Sequence, residues 1–411
     1  MRSFPGIMPA DIYLPAKHVD PAKWAVVACD QYTSQKDYWE KAEAIVSDAP
    51  STLRIIQPEI YLAEAEKTIP LIRSAMKEYL EKGVIEPRVR DGFILTERRT
   101  ESGARLGLIA AVDLDQYDYA PGVQPLIRAT EGTITERIPP RVKIRDGALI
   151  ESPHIMMLID DPECLTVEAI YAAVREDEPL YDFELMLGGG HLRGWSVTKD
   201  EHLNMLSDAL GVLNARADGF LYAVGDGNHS LATAKACWEK CKQTLDQSEW
   251  ETHPAKYALC EIVNLHSPAL VFEPIHRVLF SADADSVLHD FTAYLQKKGL
   301  TAVEGRDIVF VSGEKETGIS VSGEQALPVA ILQPFLDEYL KEHSEIHIDY
   351  VHGEEAVRSL AVNKNTGILL GAIDKGLLFP SIRSGGVLPR KTFSMGEAHE
   401  KRYYMEVRKI V

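Results

Sequence analysis

Residues 219–238 read Gly-Phe-Leu-Tyr-Ala-Val-Gly-Asp-Gly-Asn-His-Ser-Leu-Ala-Thr-Ala-Lys-Ala-Cys-Trp, an apolar run that turns at glycines and passes at once into a helical pattern. This stretch constrains the fold most, because it specifies a buried strand that feeds directly into a helix. Gly225 and Gly227 can take backbone angles closed to other residues. The first-turn amides of the following helix then converge where an anion would sit. Asp226, Asn228, His229 and Ser230 crowd polar groups onto the same turn. From these residues alone, a plain strand, turn and helix with a capping serine stays open as the alternative.

The chain has 411 residues, beyond the size at which one core stops growing, so two or three packed subdomains are expected. Its net charge of −18 speaks against nonspecific nucleic-acid binding, which needs clustered positive charge. A small anion in a local basic pocket remains compatible with that charge. Within residues 88–145, ten Lys and Arg meet eight acids, a mildly basic stretch whose ordinary reading is a solvated face. The five cysteines, Cys29, Cys164, Cys237, Cys241 and Cys260, show no C-x-x-C spacing, which fits a reducing cytoplasm and makes zinc an unattractive ligand. Neither a leader-like apolar segment near residue 1 nor an apolar run near eighteen residues is present, so a soluble, cytoplasmic protein without a membrane partner is expected.

Helical spacing predicts a helix over 34–47, opened by Ser34, and a longer helical region over 61–82. Pro70 interrupts the second, so it is either kinked there or restarted at a Thr68 cap. Residues 93–96 and 106–112 form a predicted hairpin around the polar turn 101–103, and 154–159 a buried strand. Helices are expected at 166–176 and 198–210, the second with a capping box of Thr198 and Glu201, and strands at 256–264 and 269–272. Further helices fall at 285–298 and 333–342, strands at 346–351 and 367–379, and the tail 402–411 alternates as a last strand. The expected class is α+β with mixed sheets. A main domain over 1–280 holds the glycine turn, a small α/β subdomain covers 281–345, and strands in 346–411 return to the main domain.

The turn Asp226-Gly-Asn-His-Ser230, followed by Ala232 and Ala234, resembles the Asp-Gly-His-His-Arg signature of domain-of-unknown-function family 1015, a relative of the ParB/sulfiredoxin-like nucleotide-binding group. The likeness extends to 24–32, 53–59, 107–112, 129–133, 274–277 and 388–393, nearly the whole chain. It implies a ParB/sulfiredoxin-like strand–turn–helix core, a smaller C-terminal subdomain and nucleotide binding. Asn228-His229-Ser230 departs from the usual His-His-Arg, so the arginine that would neutralise phosphate is missing from the turn. Thr130-Glu131 stands where the family has His-Glu.

Other anion-binding patterns are weaker. Gly188-Gly189-Gly190, followed by His191 and Arg193, could wrap an anion or form a loose surface turn; it has neither the P-loop nor the dinucleotide-binding spacing. His276 and Arg277 end an apolar strand, a position that often lines a crevice, though a backbone-bonded core histidine is the plainer reading of His276. Arg277 is the first candidate to replace the missing arginine, and Lys391, beside Thr392, the second. His343, His347, Asp349 and His352 lack a common helical face and read as a solvated crossing rather than a metal site.

The expected function is a nucleotide-dependent phosphotransferase acting on a small hydroxylated metabolite. Free serine or phosphoserine is implied only by the resemblance, in whose group free-serine kinases occur. Gly225, Gly227, Asn228, His229, Ser230, His276, Arg277 and Lys391 are assigned to phosphate or nucleotide. Asp226, Glu131 and His229 are the catalytic candidates: Asp226 as the Mg2+ ligand or the group orienting the acceptor hydroxyl, and Glu131 as the base. ATP or ADP and Mg2+ are the expected cofactors. The competing expectation is a nucleotide-gated regulatory protein without turnover. Sulfiredoxin-like thiol chemistry is disfavoured because Asn228 occupies the place of the required cysteine.

Overall fold

A computed structural model describes residues 2–120, 122–152, 154–322 and 326–411 as a mixed α/β protein with several sheets. The chain divides into two compact units, one formed by 1–270 with 397–411 and the other by 271–396. The segment 281–345, expected to stand as a subdomain, lies inside the second unit together with 271–280 and 346–396.

The first unit is organised around the predicted hairpin, which is longer than its apolar cores suggested. Ile85–Thr100 and Gly103–Asp113 pair antiparallel, with Ile94 opposite Ile109 and Thr100 opposite Gly103. His191–Val197 and Tyr181–Glu184 extend the sheet on one side; on the other come Tyr257–Asn264, Met156–Ile159, Tyr222–Asp226, Ile127–Ala129 and Tyr117–Asp118. Tyr257–Asn264 runs parallel to Met156–Ile159, and Tyr222–Asp226 runs parallel to Ile127–Ala129. Because strand side chains alternate between faces, Ile94, Ile109 and Leu259 enter one core with Trp24, Trp39 and Tyr404. Phe93, Leu95, Leu108 and Cys260 enter the opposite core with Leu206, Leu231 and Trp238 from the helices Asp200–Arg216 and Asn228–Lys242. Both faces are covered, which is why the centre of Ile85–Thr100 reads as an unbroken buried run.

The second unit has an antiparallel sheet in the order Lys315–Ser322, Thr301–Ser312, Thr366–Leu370, Phe272–Phe280 and His347–His352, with Phe393–Met395 paired to Phe272–Phe280. No helix among the described residues is long and apolar enough to cross a membrane.

Several local expectations change. The 59–82 region is a 3-10 turn, Glu59–Glu64, leading into the helix Ala65–Glu81, and Thr68 bonds to Gln57 instead of capping a new helix. The helix at 200 starts after Lys199 without a side-chain cap, so the Thr198–Glu201 box is absent. The strand Thr366–Leu370 stops early. Asp374 accepts from the Gly376 amide and Leu378–Gly385 is a helix with Pro380 in its first turn, where a missing N–H costs nothing. The tail contributes two separate short strands, Tyr403–Tyr404 against Val26–Val27 and Arg408–Lys409 against Ile150–Glu151.

Candidate functional site

The glycine turn forms as its sequence requires. Tyr222–Asp226 lies between Ile127–Ala129 and Met156–Ile159, and the register against the latter slips between Val224 and Asp226. Gly225 is the extra residue of this bulge, which re-aims the strand end. Gly227 has φ +81° and stands as the N-cap just before the helix Asn228–Lys242. A Cβ there would stand 3.0 Å from the Ile155 Cα, so both conformation and space demand glycine.

Asp226 closes the turn by accepting from the Gly227 amide at 2.9 Å. Its other oxygen lies 3.3 Å from the Lys401 ammonium. Burial pushes the Asp226 carboxyl upward, yet Lys401, His154 and the Gly227 hydrogen bond together hold it below the ordinary aspartate range. It is therefore ionised at neutral pH and can accept hydrogen bonds or bind a cation.

Lys401 is the cation that sequence reasoning missed at this turn. The backbone carrying it is clamped by Arg98, which donates to the carbonyls of His399 and Lys401 at 2.7 Å each and to Gly189 at 2.8 Å. Arg402 follows, bonding Glu261 at 2.7 Å and pairing with Glu406. Such buried charge-assisted bonds fix the segment in place. The three glycines at 188–190 thus belong to a packed support rather than a loose turn: a Cβ at Gly190 would strike the Arg99 carbonyl at 2.0 Å, and one at Gly189 the Tyr403 ring at 2.6 Å. His191 and Arg193 both face Asp182 at 2.9 Å.

His154 is the second missed residue. Its Nε2 lies 3.1 Å from Ser230 Oγ and 3.6 Å from Asp30 Oδ2, and its Nδ1 lies 2.8 Å from the Tyr404 hydroxyl. Tyr404 also accepts from the Cys29 amide at 3.1 Å. A hydroxyl has one proton to give, so the assignment that satisfies every group has Tyr404 donating to Nδ1 and Nε2–H facing Ser230 and Asp30. Burial, reinforced by Asp30, pushes the Cys29 thiol up to about 12, so it is no nucleophile.

Thr130 and Glu131 continue from the strand Ile127–Ala129, whose Ala129 pairs with Val224. Glu131 and Asp226 therefore emerge at the same ends of neighbouring parallel strands, where α/β sheets bind ligands. Thr130 donates to the Val224 carbonyl at 2.6 Å, and the Asn228 amide nitrogen lies 3.5 Å from Thr130 Oγ1. The Asn228 side-chain oxygen is buried without a protein donor. His229 Nε2 accepts from the Ile134 amide at 3.3 Å, which ties the loop after Glu131 to the turn.

The remaining predicted phosphate ligands belong to the second unit. His276 is 3% exposed and its Nδ1 accepts from the Leu370 amide at 3.1 Å, matching the plainer reading of a core histidine. Arg277 is fully buried, donates to Gln333 at 3.1 Å and to the Ile275 carbonyl, and covers the Tyr350 ring. Lys391 is exposed, with φ +58°. Among the described residues, no group of three His, Cys, Asp or Glu side chains could hold a metal ion by itself. His343 faces Glu345 and His352 faces Glu273 instead.

Remote likenesses exist among solved structures. A variant free serine kinase in complex with AMP is 12% identical, with 73% of this chain and 90% of that chain covered at a TM-score of 0.37. A conserved hypothetical protein from Pyrococcus furiosus is 12% identical, covering 74% and 94% at 0.33. C-terminally truncated SbnI from Staphylococcus aureus is 10% identical, covering 70% and 82% at 0.35. No functionally curated protein matches the chain. The profile described as "Protein of unknown function (DUF1015)" matches residues 10–367, and the chain belongs to that family.

Proposed function

We propose that the protein is a nucleotide-dependent phosphotransferase that moves a phosphoryl group between ATP or ADP and a hydroxylated small molecule at the Gly225–Ser230 turn. The observation that carries this reading is the convergence of Asp226, Ser230 and the Asn228 amide with Lys401 at one helix N-terminus. The amides and helix dipole favour phosphate, and Lys401 supplies a charge that the turn itself lacks. Gly227, Asn228, His229 and Ser230 hold the phosphates, and Arg277 and Lys391 recede as phosphate ligands in favour of Lys401.

The ionised Asp226 suits either role expected of it, orienting the acceptor hydroxyl or holding Mg2+. Mg2+ commonly takes one or two carboxylates together with phosphate oxygens and waters, so a lone carboxylate fits it. Bound there, the ion would neutralise phosphate charge. The acceptor oxygen bonds to the terminal phosphorus as the bond from that phosphorus to its bridging oxygen breaks. The electron pair leaves on the shortened nucleotide, and the hydroxyl proton passes to Glu131. Positioning and charge neutralisation do most of such a reaction. Among hydroxylated small molecules, free serine or phosphoserine is implied by the family resemblance alone, and the reading does not depend on it.

Phosphorus NMR of the protein with ATP or ADP, Mg2+ and a pool of hydroxylated metabolites tests the reading. A new phosphate-ester resonance growing with the loss of the terminal phosphate is expected. Broadened nucleotide signals without any ester would instead favour the nucleotide-gated regulatory protein.

A further inference from the structure

Behind the turn lies a cavity of 160 Å3 that reaches Ser230 and His154. The surface of its walls is mostly apolar, from Ile55, Ile56, Leu62, Met76, Ile144 and Ile150, with the charged Glu59, Arg141, Arg145 and Glu151 set among them. Much of its polar lining is already engaged within the protein. Gln57 donates to the Tyr61 carbonyl at 2.9 Å and accepts from Thr68. Glu59 pairs with Arg141, and Glu151 with Arg145 at 2.6 Å. Ser152 donates to the Glu406 carbonyl at 2.9 Å, and Thr233 to the His229 carbonyl at 2.7 Å. A nucleobase placed there would bury ring nitrogens and an exocyclic group against walls offering them few new partners, which is costly.

Ser230 differs from the rest of the lining. With Nε2–H of His154 directed at its oxygen, Ser230 keeps its own proton to donate where the cavity meets the turn. An aliphatic cavity of about 150 Å3 accommodates a benzene-sized body. The occupant that satisfies both ends is an alcohol with one polar end and an apolar body of that size.

We propose that this cavity holds the apolar body of the phosphoryl acceptor, an arylalkyl or similarly bulky alcohol whose hydroxyl meets Ser230 and His154 at the edge of the phosphate turn. This deepens the phosphotransferase reading and rests on it. Free serine has no apolar body to cover these walls. Its charged amino and carboxylate groups would compete with the Glu59–Arg141 and Glu151–Arg145 pairs.

Benzyl alcohol is the probe. Saturation-transfer NMR on the full chain is expected to show binding that weakens at least about tenfold in both Leu62→Trp and Ile144→Trp, each of which fills the cavity from a partly exposed position. Nucleotide affinity, titrated in the same samples, stays unchanged in both variants and reports that they remain folded. With nucleotide and Mg2+ present, a phosphate ester forms on benzyl alcohol faster than on free serine. The proposal is overturned if benzyl alcohol fails to bind, if both filled variants bind it as the parent does, or if only free serine is phosphorylated. Failure of the underlying reading has a separate signature: nucleotide signals unmoved by protein, while benzyl alcohol still binds and is displaced by the tryptophans. That result would remove the acceptor role too.

Discussion

The turn at 225–230 and the strand carrying His276 and Arg277 look alike in sequence, each setting a histidine among polar or basic neighbours near a strand. They differ in how their polar atoms are closed. In the second unit, His276 takes a backbone amide, and Arg277 takes a side-chain oxygen, a carbonyl and an aromatic face. In the first, Asp226 and Ser230 of the turn meet His154 and Lys401 from two distant segments, bonding side chain to side chain, and an Asn228 oxygen is left without a protein donor. Buried polar groups closed by their own unit make core. Groups converging from distant segments on an anion-favouring helix end are what a candidate site consists of.

The comparison breaks most sharply at Asp226. Asp226→Asn is expected to reduce turnover about a hundredfold or more while nucleotide binding survives, because a metal or hydroxyl partner acts chiefly on the transition state. Single-turnover kinetics beside a nucleotide titration will show it, and equal, undiminished activity would make the turn structural.

Next comes the cation. Lys401→Met should raise the nucleotide Kd about tenfold, whereas Lys391→Ala should leave it within about twofold, a contrast that calorimetry resolves. If the two variants exchange these behaviours, the phosphate charge is met from the second unit. Gly227→Ala should destabilise the fold by about 1–2 kcal/mol in urea titrations, since φ +81° penalises any Cβ and the Ile155 backbone stands against it. An unchanged midpoint would mean that the turn relaxes freely.

A pH slope sharpens the core side of the comparison. Burial, with help from Arg277, lowers the His276 imidazole to about 4, below its unfolded value near 6.5. Between those values the unfolded chain binds the extra proton, so stability falls as pH falls through that window. About 1 kcal/mol should be lost per pH unit. His276→Gln should flatten this slope. A slope that persists in the variant would assign the effect to another group.

The turn was legible because its signals are local: an apolar strand, glycines at the bend and a helical pattern directly after them. The hairpin was legible for the same reason, although Arg98 and Arg105, which obscured its length, prove to be buried clamps on the tail. Lys401, Tyr404 and His154 left no comparable mark. His154 and Tyr404 are 250 positions apart, and no periodicity links them. Lys401 sits in a charged run, where solvent exposure is the ordinary reading, and beyond the residues matched by the family profile. Apolar residues at 377–379 suggested an extended strand; the Asp374 cap and Pro380 make that stretch the start of a helix. Local pattern thus found the glycine turn, and only tertiary packing brought Lys401 beside it.

In the proposed function, nucleotide phosphates bind at this turn with Lys401 beside them. Thermal melting of the parent protein and Lys401→Met, with and without ATP, ADP, GTP or CTP and Mg2+, tests it most directly. At about a hundredfold excess over Kd, a nucleotide that binds only the folded state adds about 2.7 kcal/mol, so at least one should raise the parent's midpoint and raise the variant's distinctly less. Midpoints unmoved by all four at millimolar concentration, or moved equally in both proteins, would contradict the account.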